Sequence, residues 1–316
     1  MNDTPLPGVP LIESPLFTQD VEALGLTAGE RRIAEDLHTR GFAVLDFPDP
    51  EIDARIARIR ADLGPRYKGM DLTDPDSDKT QGERRIQDAW TFHEDVRAIA
   101  ANAELRDLLG KLYGRPAFPF QTLNFPVGTQ QGAHSDAVHF SSLPERFMCG
   151  VWLAMEDITP ENGPVFYLPG SHRWPIMTNA MIARRGFGNI PESAQAPYER
   201  AWDALARADG LSPEPFLARK GQALIWSANL LHGGSLQTDI RRTRWSQVTH
   251  YYFEDCIYYT PAYSDEAVGR LHLREPVGIH DGVIRTSTYL GEPVKMPRRR
   301  KGLRRLIGKL GEALAS

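Results

Sequence analysis

Apolar positions at helical spacing dominate the first third of the chain. Thr27 and Glu30 have the spacing of a capping box, so we expect a helix to begin at Thr27 and to continue to about residue 40. Apolar residues in 51–63 and in 94–113 recur every three or four positions, which predicts one helix in each range. The sequence therefore predicts a helical segment ahead of the point where the pattern changes.

A different pattern begins after Gly114, where short runs rich in β-branched and aromatic residues alternate with Gly, Pro and Asn turns. Such runs predict antiparallel strands of a sandwich or barrel, so the expected fold class is mainly β with flanking helices. The runs lie at 120–127, 147–156, 164–168, 222–226 and 244–253. A long segment, 173–215, interrupts them and is predicted to be an insertion with a helix near 198–208. Insertions of this length often form lids or substrate walls.

The chain of 316 residues is long enough for one large domain. Its apolar share of 41% and its charged share of 25% are typical of a soluble globular protein. Residues 1–26 are rich in proline and are predicted to form an arm against a single domain at 27–294. The remaining residues, 295–316, are predicted to form a separate tail.

Charge is distributed unevenly along the chain. The net charge is −4, but 295–309 holds eight Lys and Arg residues and no acid, which leaves −12 for the rest. Five aliphatic residues of the tail fall on one helical stripe, which predicts a basic amphipathic helix: Leu303, Leu306, Ile307, Leu310 and Leu314. Over 295–314 this helix could contact an anionic membrane, an anionic substrate or a partner, or pack on the acidic body of the protein. Nucleic acid is not expected as a partner, because no groove-reading or aromatic pattern accompanies the charge.

Cysteine content and hydropathy indicate the compartment. Cys149 and Cys256 are the two cysteines of the chain, which argues against a disulfide framework and fits a reducing compartment. The N-terminus has no secretory signal, and no run of about 18 apolar residues predicts a transmembrane span. We therefore expect a cytoplasmic protein, with peripheral contact to a membrane through the tail as the alternative.

Candidate chemistry is concentrated at three positions. His134 and Asp136 lie two residues apart, so in an extended segment both side chains point to the same side. His232 follows a predicted strand that ends in a Gly-Gly turn. Two imidazoles and one carboxylate form the facial triad that holds non-haem Fe(II) and leaves three coordination positions open. A structural zinc site would usually take four protein ligands.

A basic residue and a hydroxyl follow the distal histidine. Arg244 and Ser246 lie at the start of the run 244–253 and again point to one side. Such a pair can bind a carboxylate through a bidentate guanidinium and a hydroxyl donor. The alternative interpretation is that Arg241, Arg242 and Arg244 form surface salt bridges. Within this group, Arg242 is the rival to Arg244.

In combination, the motif His134-x-Asp136, the distal His232 and Arg244-x-Ser246 resemble the Fe(II)/2-oxoglutarate-dependent oxygenases. More narrowly, VWLAMEDITPENGP at 151–164 and LPGSHR at 168–173 resemble the phytanoyl-CoA dioxygenase family. The resemblance covers roughly 27–255. It implies a double-stranded β-helix, the cupin-like jelly roll, as the core at about 115–255, with helices outside one sheet.

The resemblance also implies roles for individual residues. His134, Asp136 and His232 match the iron ligands, while Arg244 and Ser246 match the residues that bind the distal carboxylate of 2-oxoglutarate. Trp152 matches a family tryptophan beside this co-substrate. A core aromatic is the alternative for Trp152. The spacing from His232 to Arg244 is one residue longer than the usual family spacing, which keeps Arg242 in consideration.

The expected reaction is the hydroxylation of an unactivated C–H bond in a small-molecule or lipid-like substrate. It would consume O2 and 2-oxoglutarate and release succinate and CO2. Related halogenases have a small residue where this chain has Asp136, so the resemblance favours hydroxylation over halogenation. Two other functions stay open: a non-catalytic jelly-roll protein that binds a metal or ligand, and a cupin-type metalloenzyme that does not use 2-oxoglutarate. The pair Arg244 and Ser246 argues against the second.

Several polar residues near these motifs are candidates for the substrate pocket. They are His139, Asn124, Gln131 and His172. His250 lies in an apolar run and is predicted to be a core histidine. The sequence does not identify the substrate.

Overall fold

The computed structural model describes residues 4–188 and 193–294 of the chain. The α-helices within these residues are α1 (Phe17–Ala23), α2 (Ala28–Arg40), α3 (Ile52–Leu63), α4 (Glu94–Ala100), α5 (Ala103–Tyr113) and α6 (Ala196–Ala208). The strands are β1 (Phe42–Asp46), β2 (Ile86–Gln87), β3 (Ala117–Phe125), β4 (Ser141–Leu143), β5 (Met148–Ala154), β6 (Val165–Tyr167), β7 (Glu214–Pro215), β8 (Gln222–Ser227), β9 (His232–Gly234), β10 (Ser246–Phe253), β11 (Ile257–Tyr259), β12 (Thr288–Tyr289) and β13 (Glu292–Pro293). The predicted basic tail at 295–316 lies outside the described residues, so its amphipathic character stays a prediction.

The main sheet is antiparallel, and its strands are ordered β1-β8-β5-β10-β3-β2. Strand β10 lies inside this sheet, with β3 on one side and β5 on the other. A second layer consists of the sheet β7-β6-β9 and the strand pair β11-β4. The two layers form the sandwich of a jelly roll, which confirms the predicted mainly β fold with flanking helices.

The two faces of the main sheet pack against different parts of the protein. On β5, Val151 and Leu153 belong to the larger hydrophobic cluster, which also contains buried residues of α2, α3 and α5. Trp152 and Ala154 alternate with them and belong to the cluster that includes Val165 of the second layer. This alternation follows from the two-residue period of a strand. It places the helices outside one sheet, as predicted, and a cavity on the opposite face, between the two layers.

The predicted helix start at Thr27 is confirmed in detail. The Thr27 hydroxyl accepts a hydrogen bond from the Glu30 backbone N–H at 3.3 Å, and the Glu30 carboxylate accepts one from the Thr27 N–H at 2.8 Å. Helix α2 ends at Gly41, whose φ of 84° is the left-handed conformation that glycine adopts without steric cost. At the start of the helix, the Thr27 hydroxyl and the Glu30 carboxylate together satisfy backbone donors that would otherwise be unpaired.

The prediction of one continuous helix over 94–113 is wrong. The structure has two helices there, because α4 ends at Ala100 and α5 begins at Ala103. The Asn102 side chain accepts a hydrogen bond from the Leu105 N–H at 2.8 Å and so caps the second helix. An asparagine that bonds to nearby backbone in this way favours a helix start over a helix interior.

The proline-rich arm contains more regular structure than the sequence predicts. Its described residues include a 3-10 turn at Leu11–Glu13 and helix α1. Ile12, Phe17 and Val21 are buried in the larger cluster, and the Phe17 ring stacks on His38 of α2. The predicted helix of the insertion is present as α6. Among the described helices, none has the length and apolar character needed to cross a membrane.

Candidate active site

The structure brings His134, Asp136 and His232 together. His134 and His232 face each other as an antiparallel pair, and each backbone N–H donates to the other's carbonyl at 2.9 Å. Ser135 is extended, and Asp136 opens a 3-10 turn at Asp136–Val138. One nitrogen of each histidine and one oxygen of the carboxylate lie within 4.8 Å of one another. The two chain segments therefore present three ligand atoms to one point.

Backbone carbonyls fix the orientation of both imidazoles. Nδ1 of His134 lies 3.0 Å from the Gly132 carbonyl oxygen, and Nδ1 of His232 lies 3.0 Å from the Leu230 carbonyl oxygen. A carbonyl oxygen can only accept, so Nδ1 carries the proton and the lone pair of Nε2 is free for a metal. Nε2 of His134 lies 3.9 Å from Oδ1 of Asp136, and Nε2 of His232 lies 3.7 Å from Oδ2.

Burial of His134 and the charges near Asp136 favour the deprotonated forms of these two ligands, which are the forms that bind a cation. The pKa of His134 is lowered to about 3, mainly by burial and then by the neighbouring His232, while Asp136 opposes the change. Burial alone would raise the pKa of Asp136, but His232 and His250 outweigh it and hold this pKa well below its usual range. Because metal ligands must be deprotonated, the site is ready for a divalent cation at neutral pH.

A buried arginine without a carboxylate partner lines the same cavity. Arg244 is 2% exposed, and burial lowers the pKa of its guanidinium to about 10, so it stays charged at neutral pH. Within residues 4–188 and 193–294, its Nε and Nη1 have no hydrogen-bond partner, and neither do Oγ of Ser246 and Nε1 of Trp152. The guanidinium carbon lies 5.4 Å from the centre of the Trp152 ring. Unpaired buried donors are costly, so this group fits an anionic ligand with a carboxylate.

The cavity measures about 80 Å³ and joins the two groups, since His134, Asp136, His232, Trp152 and Arg244 all line it. A metal ion at the triad and an acid at the arginine would therefore share one space.

The rival arginine lies elsewhere. Arg242 has a side chain that is 43% exposed, and its Nη1 lies 3.7 Å from a carboxylate oxygen of Glu161. This is the surface ion pair that the alternative interpretation foresaw, but it involves Arg242 and not Arg244.

Two of the predicted pocket residues lie near the metal centre. Gln131 lines the cavity, and its Nε2 donates to Oε1 of Gln195 at 2.5 Å. The His139 ring lies 6.3 Å from the His134 ring, centre to centre. Gln195 immediately precedes α6, so the predicted insertion reaches the edge of the cavity. No motif or local pattern singles out Gln195.

The other two pocket predictions are wrong in placement. On β3, Leu123 and Phe125 line the cavity, so Asn124 between them points to the opposite face and donates to Oε1 of Gln247 at 3.2 Å. His172 lies against Gly41, its Nε2 is 3.2 Å from the His38 carbonyl oxygen, and it lines a separate groove beside the arm. Neither side chain lines the cavity that holds the triad.

His172 predicts a pH dependence of stability. Its pKa is lowered to about 4, mainly by burial; the bond to the His38 backbone opposes the change, and Arg173 and Arg146 add to it. Between pH 6.5 and 4 the unfolded chain binds a proton that the folded protein does not, so the free energy of unfolding falls on acidification. One histidine contributes at most about 1.4 kcal/mol per pH unit. We expect His172→Gln to make this dependence shallower in urea unfolding across the range. Parallel curves for the two proteins would contradict the assignment.

Two residues that contact the Asp136 carboxylate were missed by the sequence interpretation. Nε1 of Trp226 donates to Oδ2 of Asp136 at 2.8 Å, and Nε2 of His250 lies 3.4 Å from the same oxygen. His250 is buried, as predicted for a core histidine, but it also lines the cavity. Both side chains therefore belong to the wall of the metal centre.

A jelly roll with two histidines and one carboxylate beside a buried arginine has the features of a non-haem oxygenase. Residues 37–243 match the sequence profile of a family described as Phytanoyl-CoA dioxygenase (PhyH). The chain belongs to this family. Within the described residues, His134, Asp136 and His232 form a group fit to hold a metal ion.

Individual relatives are more distant. The chain is 26% identical over 151 residues to methylphosphonate hydroxylase of Gimesia maris, an alignment that covers 47% of this chain and 50% of that protein. It is 31% identical over 112 residues to phytanoyl-CoA dioxygenase domain-containing protein 1 of Danio rerio, covering 35% and 36%. The chain thus spans half or less of the length of these curated relatives.

A solved structure is similar over nearly the whole fold. It is that of the epimerase SnoN from nogalamycin biosynthesis, in complex with Fe3+, alpha ketoglutarate and nogalamycin RO. The TM-score is 0.54 and the identity is 17%, over 86% of this chain and 97% of that one. At this identity the similarity shows a common fold.

Proposed function

We propose that the protein is an Fe(II)- and 2-oxoglutarate-dependent dioxygenase that hydroxylates an unactivated C–H bond of a small-molecule substrate, with release of succinate and CO2. The observation that carries the proposal is the buried Arg244, which shares one cavity with the triad and whose Nε and Nη1 have no partner in the described part of the chain. A metal centre alone would fit many activities. A metal centre with a fixed cation at the other end of a small cavity fits a co-substrate that is a dicarboxylic acid.

The residues divide the work between metal and co-substrate. Nε2 of His134, Nε2 of His232 and the Asp136 carboxylate would hold Fe(II), which when bound supplies the activation of O2 and the oxidation of 2-oxoglutarate. Arg244 would bind the distal carboxylate of 2-oxoglutarate through charge-assisted hydrogen bonds, and Ser246 would add a hydroxyl donor. Trp152 would flank this end of the cavity with its ring and its free N–H.

The substrate would enter from the side of the cavity edge where Gln131, His139 and Gln195 lie. Their amide and imidazole groups can donate and accept hydrogen bonds, which suits a polar group on the substrate. Gln195 belongs to the insertion, which lies outside the strands of the jelly roll. The insertion would therefore contribute to substrate specificity. The name of the Gimesia maris relative, a methylphosphonate hydroxylase, is consistent with a small polar substrate.

Spectroscopy and product analysis would test this function and separate it from its alternatives. Anaerobic addition of Fe(II) and 2-oxoglutarate is expected to give a weak visible charge-transfer band. Succinate release, measured against a panel of acyl-CoA thioesters, amino-acid derivatives and small organic acids, is expected to rise with one class. Metal binding with neither band nor succinate would indicate a non-catalytic binding protein. Substrate oxidation without 2-oxoglutarate would indicate a cupin-type metalloenzyme.

A further inference from the structure

A transverse row of residues on the main sheet surrounds one oxygen of the Asp136 carboxylate. Trp226 on β8 pairs with Gly150 on β5, Gly150 pairs with His250 on β10, and His250 pairs with Gln121 on β3. Trp226 and His250 both line the cavity, and both reach Oδ2 of Asp136. The row therefore places the Trp226 indole on one side of Gly150 and the His250 imidazole on the other.

Gly150 makes the space for this arrangement. A Cβ atom at position 150 would overlap the indole ring of Trp226 at Cε2, Cζ2 and Nε1. The indole thus occupies the space that a side chain at position 150 would need. Its position, and with it the direction of its N–H, is set by close packing on a strand in the interior of the sheet.

The two contacts with Oδ2 differ in strength. The Trp226 hydrogen bond of 2.8 Å is short for an N–H donor, whereas the His250 contact of 3.4 Å is longer and mainly electrostatic. An ionised carboxylate oxygen can only accept, so His250 adds a hydrogen bond to Oδ2 when its Nε2 carries a proton. The other ring nitrogen, Nδ1, lies 3.0 Å from Oε1 of Gln121, and this contact holds the ring in place. Within the described residues, Oδ1 of Asp136 receives no hydrogen bond.

We propose that Trp226 is a positioning residue that restricts Asp136 to binding the metal through Oδ1 alone, with His250 supporting it. Two donors use the lone pairs of Oδ2, and Oδ1 is left for the cation. Binding through both oxygens would fill an additional coordination position, which a facial triad keeps open for co-substrate and O2. The Trp226 ring also packs on His232, with ring centres 4.6 Å apart, so one side chain contacts two of the three ligands. This inference rests on the proposed metal centre.

Cobalt(II), used as a coloured probe in place of iron, tests the inference without turnover. Trp226→Phe keeps an aromatic ring and removes the N–H. We expect it to change the visible absorption of the Co(II) protein, because the freed oxygen can join the coordination. We also expect Co(II) affinity, measured by calorimetry, to fall by about 10-fold, the lower end of the effect of removing a hydrogen bond to a metal ligand. An unchanged spectrum, with or without a loss of affinity, would reduce Trp226 to a packing role and overturn the proposal.

Matched variants separate positioning from general loss of stability. Trp202→Phe removes another buried indole, which stacks on Tyr198 and does not line the cavity, and should leave the Co(II) spectrum unchanged. His250→Leu should alter the spectrum in the same direction as Trp226→Phe, but less, and His250→Gln should restore it by supplying an amide N–H. If Trp226→Phe does not fold, the two His250 variants provide the test. Identical Co(II) spectra for the wild type, His250→Leu and His250→Gln would overturn the proposal. Failure of the wild type to bind Co(II) would instead remove the metal centre itself.

Discussion

Replacing Asp136 by alanine is expected to abolish the 2-oxoglutarate-dependent formation of succinate. The carboxylate is the only anionic member of the triad, and its loss leaves two neutral imidazoles to hold a dication. Metal-bound chemistry contributes several kcal/mol of transition-state stabilisation, so we expect turnover to fall by ~10³-fold or more. Succinate release in the presence of excess Fe(II) is the measurement. His134→Ala should behave in the same way, because it removes one of the two imidazole ligands.

His280→Ala supplies the control for the triad variants. His280 is a partly exposed histidine beside Asp281, and it does not line the cavity. Its loss should leave succinate formation within experimental error of the wild type. Wild-type turnover in Asp136→Ala, at saturating iron, would show that the triad is not the metal centre.

Replacing Arg244 by methionine is expected to raise the 2-oxoglutarate concentration at half-saturation by ~10²-fold. Truncating one partner of a buried, hydrogen-bonded charge pair costs about 3 kcal/mol. The same change should not lower the thermal stability of the ligand-free protein, because it removes a buried charge that has no carboxylate partner within the described residues. Calorimetric titration of the anaerobic metal-loaded protein with 2-oxoglutarate, together with a melting curve, would measure both effects.

Arg242→Met is the matched control, since this exposed arginine carries the same charge two residues away. We expect its affinity for 2-oxoglutarate to equal that of the wild type. A loss of affinity in Arg242→Met but not in Arg244→Met would reverse the assignment of the co-substrate arginine. Loss in neither variant would place the co-substrate outside this end of the cavity.

The two-residue period of a strand accounts for the predicted pair Arg244 and Ser246, and it also accounts for His250, which the sequence interpretation missed. It predicts that Arg244 and Ser246 point to one side; Arg244, just before β10, lines the cavity, and Ser246, the first residue of β10, has a buried hydroxyl with no partner among the described residues. Two further steps along the same face lead to Val248 and His250, which also line the cavity. The sequence therefore contained the signal for His250, but the apolar character of the run favoured a core interpretation.

Other features could not be obtained from local pattern. The β3 strand has buried apolar residues on both faces. Alternation therefore does not reveal which face of the strand lines the cavity, or whether Asn124 lies on that face. Trp226 and Asp136 lie 90 residues apart, and their hydrogen bond depends on how β8 and the Asp136 turn come together in the fold. The break between α4 and α5 involves a long-range contact as well as the local cap, because Nδ2 of Asn102 donates to the Pro48 carbonyl oxygen at 2.8 Å. Each of these outcomes is decided by tertiary packing.

The reciprocal backbone hydrogen bonds between His134 and His232 bear on how the site acquires its cation. They fix the spacing of two ligands from distant parts of the sequence as part of the fold itself. The conformational entropy that ligands lose when they assemble around an ion is therefore lost during folding and not during binding. In small zinc domains, by contrast, the energy of binding the ion is the energy of folding. This protein should accordingly be able to release and regain its metal as a folded molecule.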